Sequence, residues 1–230
     1  KTGIGGMGAN VFFYKHLRES FRANRFGLWG MTSLFTVVGA ALFSVFLRGG
    51  EGKIFILLQT LMWMQIFMIG TGRGLKELYS HYIYLIPENS FRKIVWSNLE
   101  IAFKVLVESL VIFGIAGLIL GESIGPIVAA MLVYSLFSFL LLGINYLSLR
   151  WTGANISAGL LIIIYTIAVI LIMLPGLIAA LVLAITIEHN GLLIGLGVLA
   201  LWELLAGLGC FALSKGILHR VDMPVLKTEK

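Results

Sequence analysis

The chain has 230 residues, of which 59% are hydrophobic and only 12% charged; its formal net charge is +6 and it carries one cysteine. So little polar surface cannot wrap a soluble core of this size, which excludes a soluble globular domain and leaves an integral membrane protein. The lone Cys210 excludes a disulfide within the chain and a cysteine-based metal site.

The placement of the charges separates topology from nucleic-acid binding. Lys1, Lys15, Arg18, Arg22 and Arg25 precede the first apolar run, Arg73, Lys76, Arg92 and Lys93 fall between the second and third, Arg150 follows the fourth, and Lys215, Arg220, Lys227 and Lys230 follow the sixth. Only Arg48 and Lys53 lie in the alternate loops. The positive-inside rule then puts both termini in the cytoplasm. Basic loops of this kind face anionic lipid, so the expected surroundings are a bilayer and not nucleic acid.

In chain order, residues 1–9 read as the remnant of a linker, because the chain starts at Lys1 without Met and is glycine-rich from Gly3 to Gly8. A piece of a longer polypeptide is expected. Asn10 is placed to cap an interfacial helix over 10–25, in which Phe13, Leu17 and Phe21 recur at spacing four while Lys15, Arg18, Glu19 and Arg22 take the opposite face. Such a helix lies in the cytoplasmic headgroup layer.

Six apolar runs follow, at about 27–47, 54–72, 97–119, 126–149, 156–174 and 191–214, each close to the roughly 20 residues that a span requires. The expected fold is therefore all-α: six transmembrane helices within one transmembrane domain covering 1–230, with the bundle over 27–214 and a cytoplasmic tail over 215–230. Arg48 to Lys53 forms the first outer turn. Run two carries Gln59, Gln65 and several methionines, which pack flexibly against a neighbour or, less simply, line a substrate stripe.

Residues 73–93 form a charged inner insert that reads as helix, break, helix. Leu75, Leu78, Tyr79, Tyr82 and Ile86 follow helical spacing, and Pro87 ends the helix because its ring removes a donor and disfavours α conformation at Ile86. Ser97 and Glu100 have the spacing of a capping box for the next helix. In run three Glu100, Lys104 and Glu108 share one stripe at spacing four, where alternating signs can pair. Charges at that depth face protein, so the stripe is either a structural ion-pair ladder or a transport relay.

Residues 156–187 amount to about 48 Å of straight helix, more than one span needs. Pro175-Gly176 divides them into a full span to Leu174 and a short helix dipping back from the outer face; a long tilted or kinked helix is the alternative. Glu203, near the middle of run six, is the most isolated acid in the chain; it is a functional candidate by its position, and a protonated glutamic acid hydrogen-bonded between helices is equally compatible.

The chain carries no Gly-x-x-x-x-Gly-Lys-Ser/Thr loop, no His-Glu-x-x-His and no Gly-x-Ser-x-Gly. No enzymatic activity of its own is expected, and no cofactor or metal ligand set is visible. Transport, partner binding or a structural membrane role are left.

Gly6-Met-Gly-Ala-Asn-Val-Phe-Phe-Tyr-Lys-His-Leu-Arg-Glu-Ser20, Arg22 to Gly27, and above all Lys76-Glu-Leu-Tyr-Ser-His-Tyr-Ile-Tyr-Leu-Ile-Pro-Glu-Asn-Ser-Phe-Arg-Lys93 resemble the ABC exporter membrane proteins (permeases) of Gram-positive bacteria, of the ABC-2-type exporter class. The resemblance covers essentially the whole chain and corresponds to the C-terminal half of those proteins. It implies a bacterial plasma-membrane permease that alternates access while a separate ABC ATPase subunit binds ATP and Mg. It further implies a second permease half or a homodimer. Residues 73–93 would then be the coupling helix between spans two and three, with Leu78, Tyr79, Tyr82, Tyr84 and Arg92 as ATPase contacts, and Lys104, Glu108 and Glu203 are the transport-pathway or gating candidates. The substrate class implied is a peptide, toxin, drug or lipid. A non-transporting scaffold or immunity subunit that only anchors a partner is the alternative.

Overall fold

The computed structural model describes residues 6–23, 28–49, 52–69, 82–153, 157–188 and 190–219. Among them every element is helical: α1 (Val11–Ala23), α2 (Met31–Leu47), α3 (Lys53–Ile69), α4 (Tyr82–Leu85), α5 (Ser90–Leu120), α6 (Ile124–Thr152), α7 (Ala158–Thr186) and α8 (Gly191–Leu213), with short 3-10 segments at Gly8–Asn10 and Ser214–His219. Four helices, α5 to α8, are long and apolar enough to cross a bilayer. The helices α2 and α3 are apolar but have 17 residues each, about 26 Å and the lower limit for a span.

The bundle is built around α6. From Leu140 to Leu149 every residue of that helix is buried, and α8 packs along it in the same direction: Gly125 faces Leu193, Gly143 faces Cys210, and Arg150 faces Gly216. Close approach there depends on missing side chains. A Cβ on Gly143 would meet the Gly207 carbonyl oxygen at 3.0 Å, and one on Gly207 would meet the Phe139 ring at 2.8 Å. Phe211 fills the space beside that contact, 4.9 Å from the Phe139 ring and 6.0 Å from Tyr146.

Helix α7 runs antiparallel to α8 and is one continuous element of 29 residues. Pro175 lies inside it, so the expected division at Pro175-Gly176 gives way to the long-helix alternative. The physical reason is local repair. Proline removes the bond to the Leu171 carbonyl and loosens that turn, and on the adjacent Ile172 carbonyl the Trp202 indole N–H of α8 donates at 2.9 Å, its ring seated over Gly176. A tertiary hydrogen bond thus holds together what the local sequence would break.

Other expectations are corrected at helix ends. Asn89, not Ser97, caps α5: its side chain accepts from the Phe91 N–H at 3.2 Å, because Pro87 releases the chain in time for a start at Ser90. Ser97 and Glu100 fall well inside that helix. Asn10 gives α1 no side-chain cap; it closes the preceding 3-10 turn, and its Oδ1 is buried without a hydrogen-bond partner among the described residues. The tail expected from residue 215 is packed at its start, with Ile217 and Leu218 buried in the core.

Candidate functional site

The end of the fold that carries α1 and the insert is organised by the foot of α5. At 31 residues that helix is about 46 Å long, against about 30 Å of hydrocarbon, so roughly ten residues at its N-terminal end project beyond the apolar layer. Helix α1 packs across this projection. Its buried stripe is Phe12, His16 and Ser20: His16 Nδ1 lies 3.1 Å from the Ser97 carbonyl oxygen, and the Ser20 hydroxyl donates to Glu100 Oε1 at 2.6 Å. The face expected from spacing, Phe13, Leu17 and Phe21, is the neighbouring one and stays partly or fully exposed, with Phe21 57% accessible. A histidine and a serine on the protein-facing stripe hid it from a hydrophobicity pattern.

Beside this strap lies the end of the insert. Leu78 and Tyr79 fall outside the described residues; Tyr82 opens α4, and Tyr84 packs partly buried against the core. The helix does stop ahead of Pro87. Its anchor is Ile83, fully buried, which the spacing argument passed over, and Leu85 projects instead, 75% exposed. Arg92, also exposed, pairs with Glu88 at 3.8 Å. The other Glu88 oxygen accepts from the Ala9 N–H at 3.1 Å. Glu88 therefore ties the insert, the start of α1 and the foot of α5 together. Its position immediately after Pro87 was the available signal for that role.

Deeper in the bundle, the expected ladder of Glu100, Lys104 and Glu108 does not form: among the described residues none of the three makes an ion pair within 4 Å with another. Glu100 is instead satisfied by Ser20, which lies 80 positions away in sequence. Glu108, 7% exposed, has the Ser33 side chain of α2 against it and Lys104 in electrostatic reach. Tyr134 of α6 stands on the same side, its carbonyl accepting from Gln65 Nε2 of α3 at 3.4 Å. Four helices thus bring polar groups together around Glu108, and the Ser109–Ser135 hydroxyl pair at 2.8 Å adds a further link between α5 and α6.

Glu203 is different. It is 0% exposed, and neither carboxyl oxygen has a hydrogen-bond partner among the described residues. It sits on the buried face of α8 with Leu196, Leu199, Ala200 and Gly207. A carboxyl so enclosed is a net cost to the fold.

Between α3 and α7 opens an apolar groove of about 540 Å³. Leu58, Gln59 and Met62 line it from α3, Met173 and Ile178 from α7, and Phe137 of α6 lies between them. Of the two roles weighed for the methionines and glutamines of run two, Met62 and Gln59 therefore line a groove, whereas Gln65 is a buried packing residue.

The sequence profile of the family described as Putative ABC exporter matches residues 1–222. Among curated proteins and solved structures nothing matches. With nearly its whole length covered by that profile, and with four helices of membrane-crossing length, the chain is a membrane protein that belongs to the ABC exporter family.

Proposed function

We propose that this chain is the transmembrane permease subunit of an ABC exporter, moving its substrate by alternating access while a separate ATPase subunit binds ATP and Mg and hydrolyses the nucleotide. The observation that carries the reading is the family match over residues 1–222. In this reading α2 and α3 complete a six-span bundle in the bacterial plasma membrane, with both termini cytoplasmic. The insert over 73–93 docks on the ATPase through Leu78, Tyr79, Tyr82, Tyr84 and Arg92, joined by the exposed Leu85.

Force applied there has a rigid path. Glu88 and the Asn89 cap connect the insert to α5, and α5 runs without interruption from that foot to Leu120 at the far end of the bundle. Its motion reaches Lys104 and Glu108, which act in gating, and the α3–α7 groove, which admits the substrate. An apolar groove suits a lipid-like, peptidic or otherwise hydrophobic substrate. The exposed side of α7 outside the groove, with Leu171 and Val182, supports pairing with a second permease half or a second copy. Glu203 is kept for movement and not for stability: an enclosed carboxyl without partners is a group that a second conformation can satisfy.

The test is complex formation and ATP turnover with a candidate ABC ATPase subunit. The native chain assembles an active complex, and Tyr79→Ala with Tyr82→Ala uncouples it while the helical content holds. Failure of the native chain to bind any ATPase would remove the exporter reading and favour a non-transporting scaffold. Glu203→Leu is expected to raise or preserve thermal stability while export is lost; retained export would take Glu203 out of the mechanism.

A further inference from the structure

The face of α1 that points away from α5 holds a cleft of about 320 Å³, within the size range of small-ligand sites. Lys15, Arg18 and Arg22 line it at helical spacing, together with Tyr14, Val11, Gly6 and one acid, Glu19. Among the described lining residues three cations stand beside one carboxylate, and their ammonium and guanidinium groups suit phosphate oxygens.

Its depth relative to the bilayer follows from the neighbouring helix. α1 is fixed to α5 at Ser97 and Glu100, roughly twenty residues or about 30 Å from the end of that helix at Leu120. That separation equals the hydrocarbon thickness, so α1 sits where lipid phosphates lie. Its exposed Phe21, with Phe13 and Leu17 in line, forms an apolar edge about a third of a turn from the basic cleft, on the side where acyl chains begin.

We propose that this cleft binds the phosphate headgroup of an anionic glycerophospholipid of the inner leaflet, with Lys15, Arg18 and Arg22 on the phosphate and the Phe13, Leu17 and Phe21 edge against the acyl chains. The bound lipid fixes α1 against the foot of α5, beside the Glu88 junction. The proposal needs only the membrane placement of the bundle and is independent of the exporter reading.

The full chain, purified in a neutral detergent, is titrated with phosphatidylglycerol, phosphatidylethanolamine, phosphatidylcholine and soluble glycerol phosphate, and bound ligand is counted by native mass spectrometry. Phosphatidylglycerol is expected to bind about tenfold or more tightly than the two zwitterionic lipids, since each cation near an anionic lipid contributes a roughly fivefold factor. Lys15→Gln, Arg18→Gln and Arg22→Gln together abolish that preference, Lys15→Arg with Arg18→Lys and Arg22→Lys retains it, and Arg48→Gln at the other end of the bundle leaves it unchanged. A folded triple variant with undiminished preference overturns the proposal, as does equal binding of phosphatidylethanolamine. Equal binding of glycerol phosphate also overturns it, because the site would then take a free anion. Should the triple variant not fold, the native chain decides: its preference for phosphatidylglycerol must fall with added salt, and a salt-independent preference contradicts the site.

Discussion

Helices α6 and α7 have the same length, 29 residues, and opposite surroundings. In the most apolar window of α6, 56% of residues are buried inside the fold; in that of α7 only 22% are, although α7 is the more apolar of the two. In water that order would be reversed. In a bilayer hydrophobicity selects the solvent and not the neighbours, so of these two helices the one with more polar residues, α6 with Ser138, Asn145 and Ser148, takes the centre. The most apolar helix becomes the wall. Buried on all sides from Leu140 to Leu149, α6 acts as an axle with α8 fixed to it, whereas α7 is held along one side and faces the α3 groove with another.

That contrast can be broken at the axle with the largest effect. Phe211→Ala empties a site that is fully buried against Phe139 and Tyr146, and is expected to cost about 3–5 kcal/mol in thermal or denaturant unfolding of the detergent-solubilised chain. Gly143→Val forces side-chain atoms into the Gly207 backbone and should cost about 2–3 kcal/mol, seen as a lowered Tm. A smaller effect is expected where α7 is tied back: Trp202→Phe removes the donor to the Ile172 carbonyl and should cost about 1 kcal/mol, with faster hydrogen exchange around Pro175. On the exposed wall, Leu171→Ala should change stability by less than about 0.5 kcal/mol. A large loss there would show that α7 is covered by a permanent neighbour.

The same contrast explains what could be read in the sequence. The six apolar runs were legible because an apolar helix is a composition and a length: all of the starts but that at 97 and all of the ends but that at 174 lie close to the helices observed, four of which are long enough to cross a bilayer. Pro87 marked the end of the insert helix because its effect is local and steric. What stayed hidden depended on partners far away in sequence. Pro175 looked like a break because Trp202, which braces that turn through the Ile172 carbonyl, is 30 positions away from Ile172 in the chain. Glu100 looked like a member of an ion-pair ladder because nothing in its neighbourhood revealed Ser20. The protein-facing side of α1 was missed because His16 and Ser20 do not register as apolar. For the candidate site, Glu203 was visible as an isolated acid, and its complete enclosure emerged only from the packing of α8.

In the proposed export cycle the α3–α7 groove changes width while the α6–α8 axle holds. Spin labels at Trp63→Cys on α3 and Ile170→Cys on α7, both exposed groove positions, in a Cys210→Ala background and in complex with the ATPase subunit, give the distance across the groove with and without ATP. A second pair, Ile124→Cys on α6 and Leu192→Cys on α8, reports the axle. The expected result is a shift in the α3–α7 distance distribution on ATP addition with the α6–α8 distance unchanged. An unchanged groove distance through the ATP cycle, or an equal shift in both pairs, would contradict it.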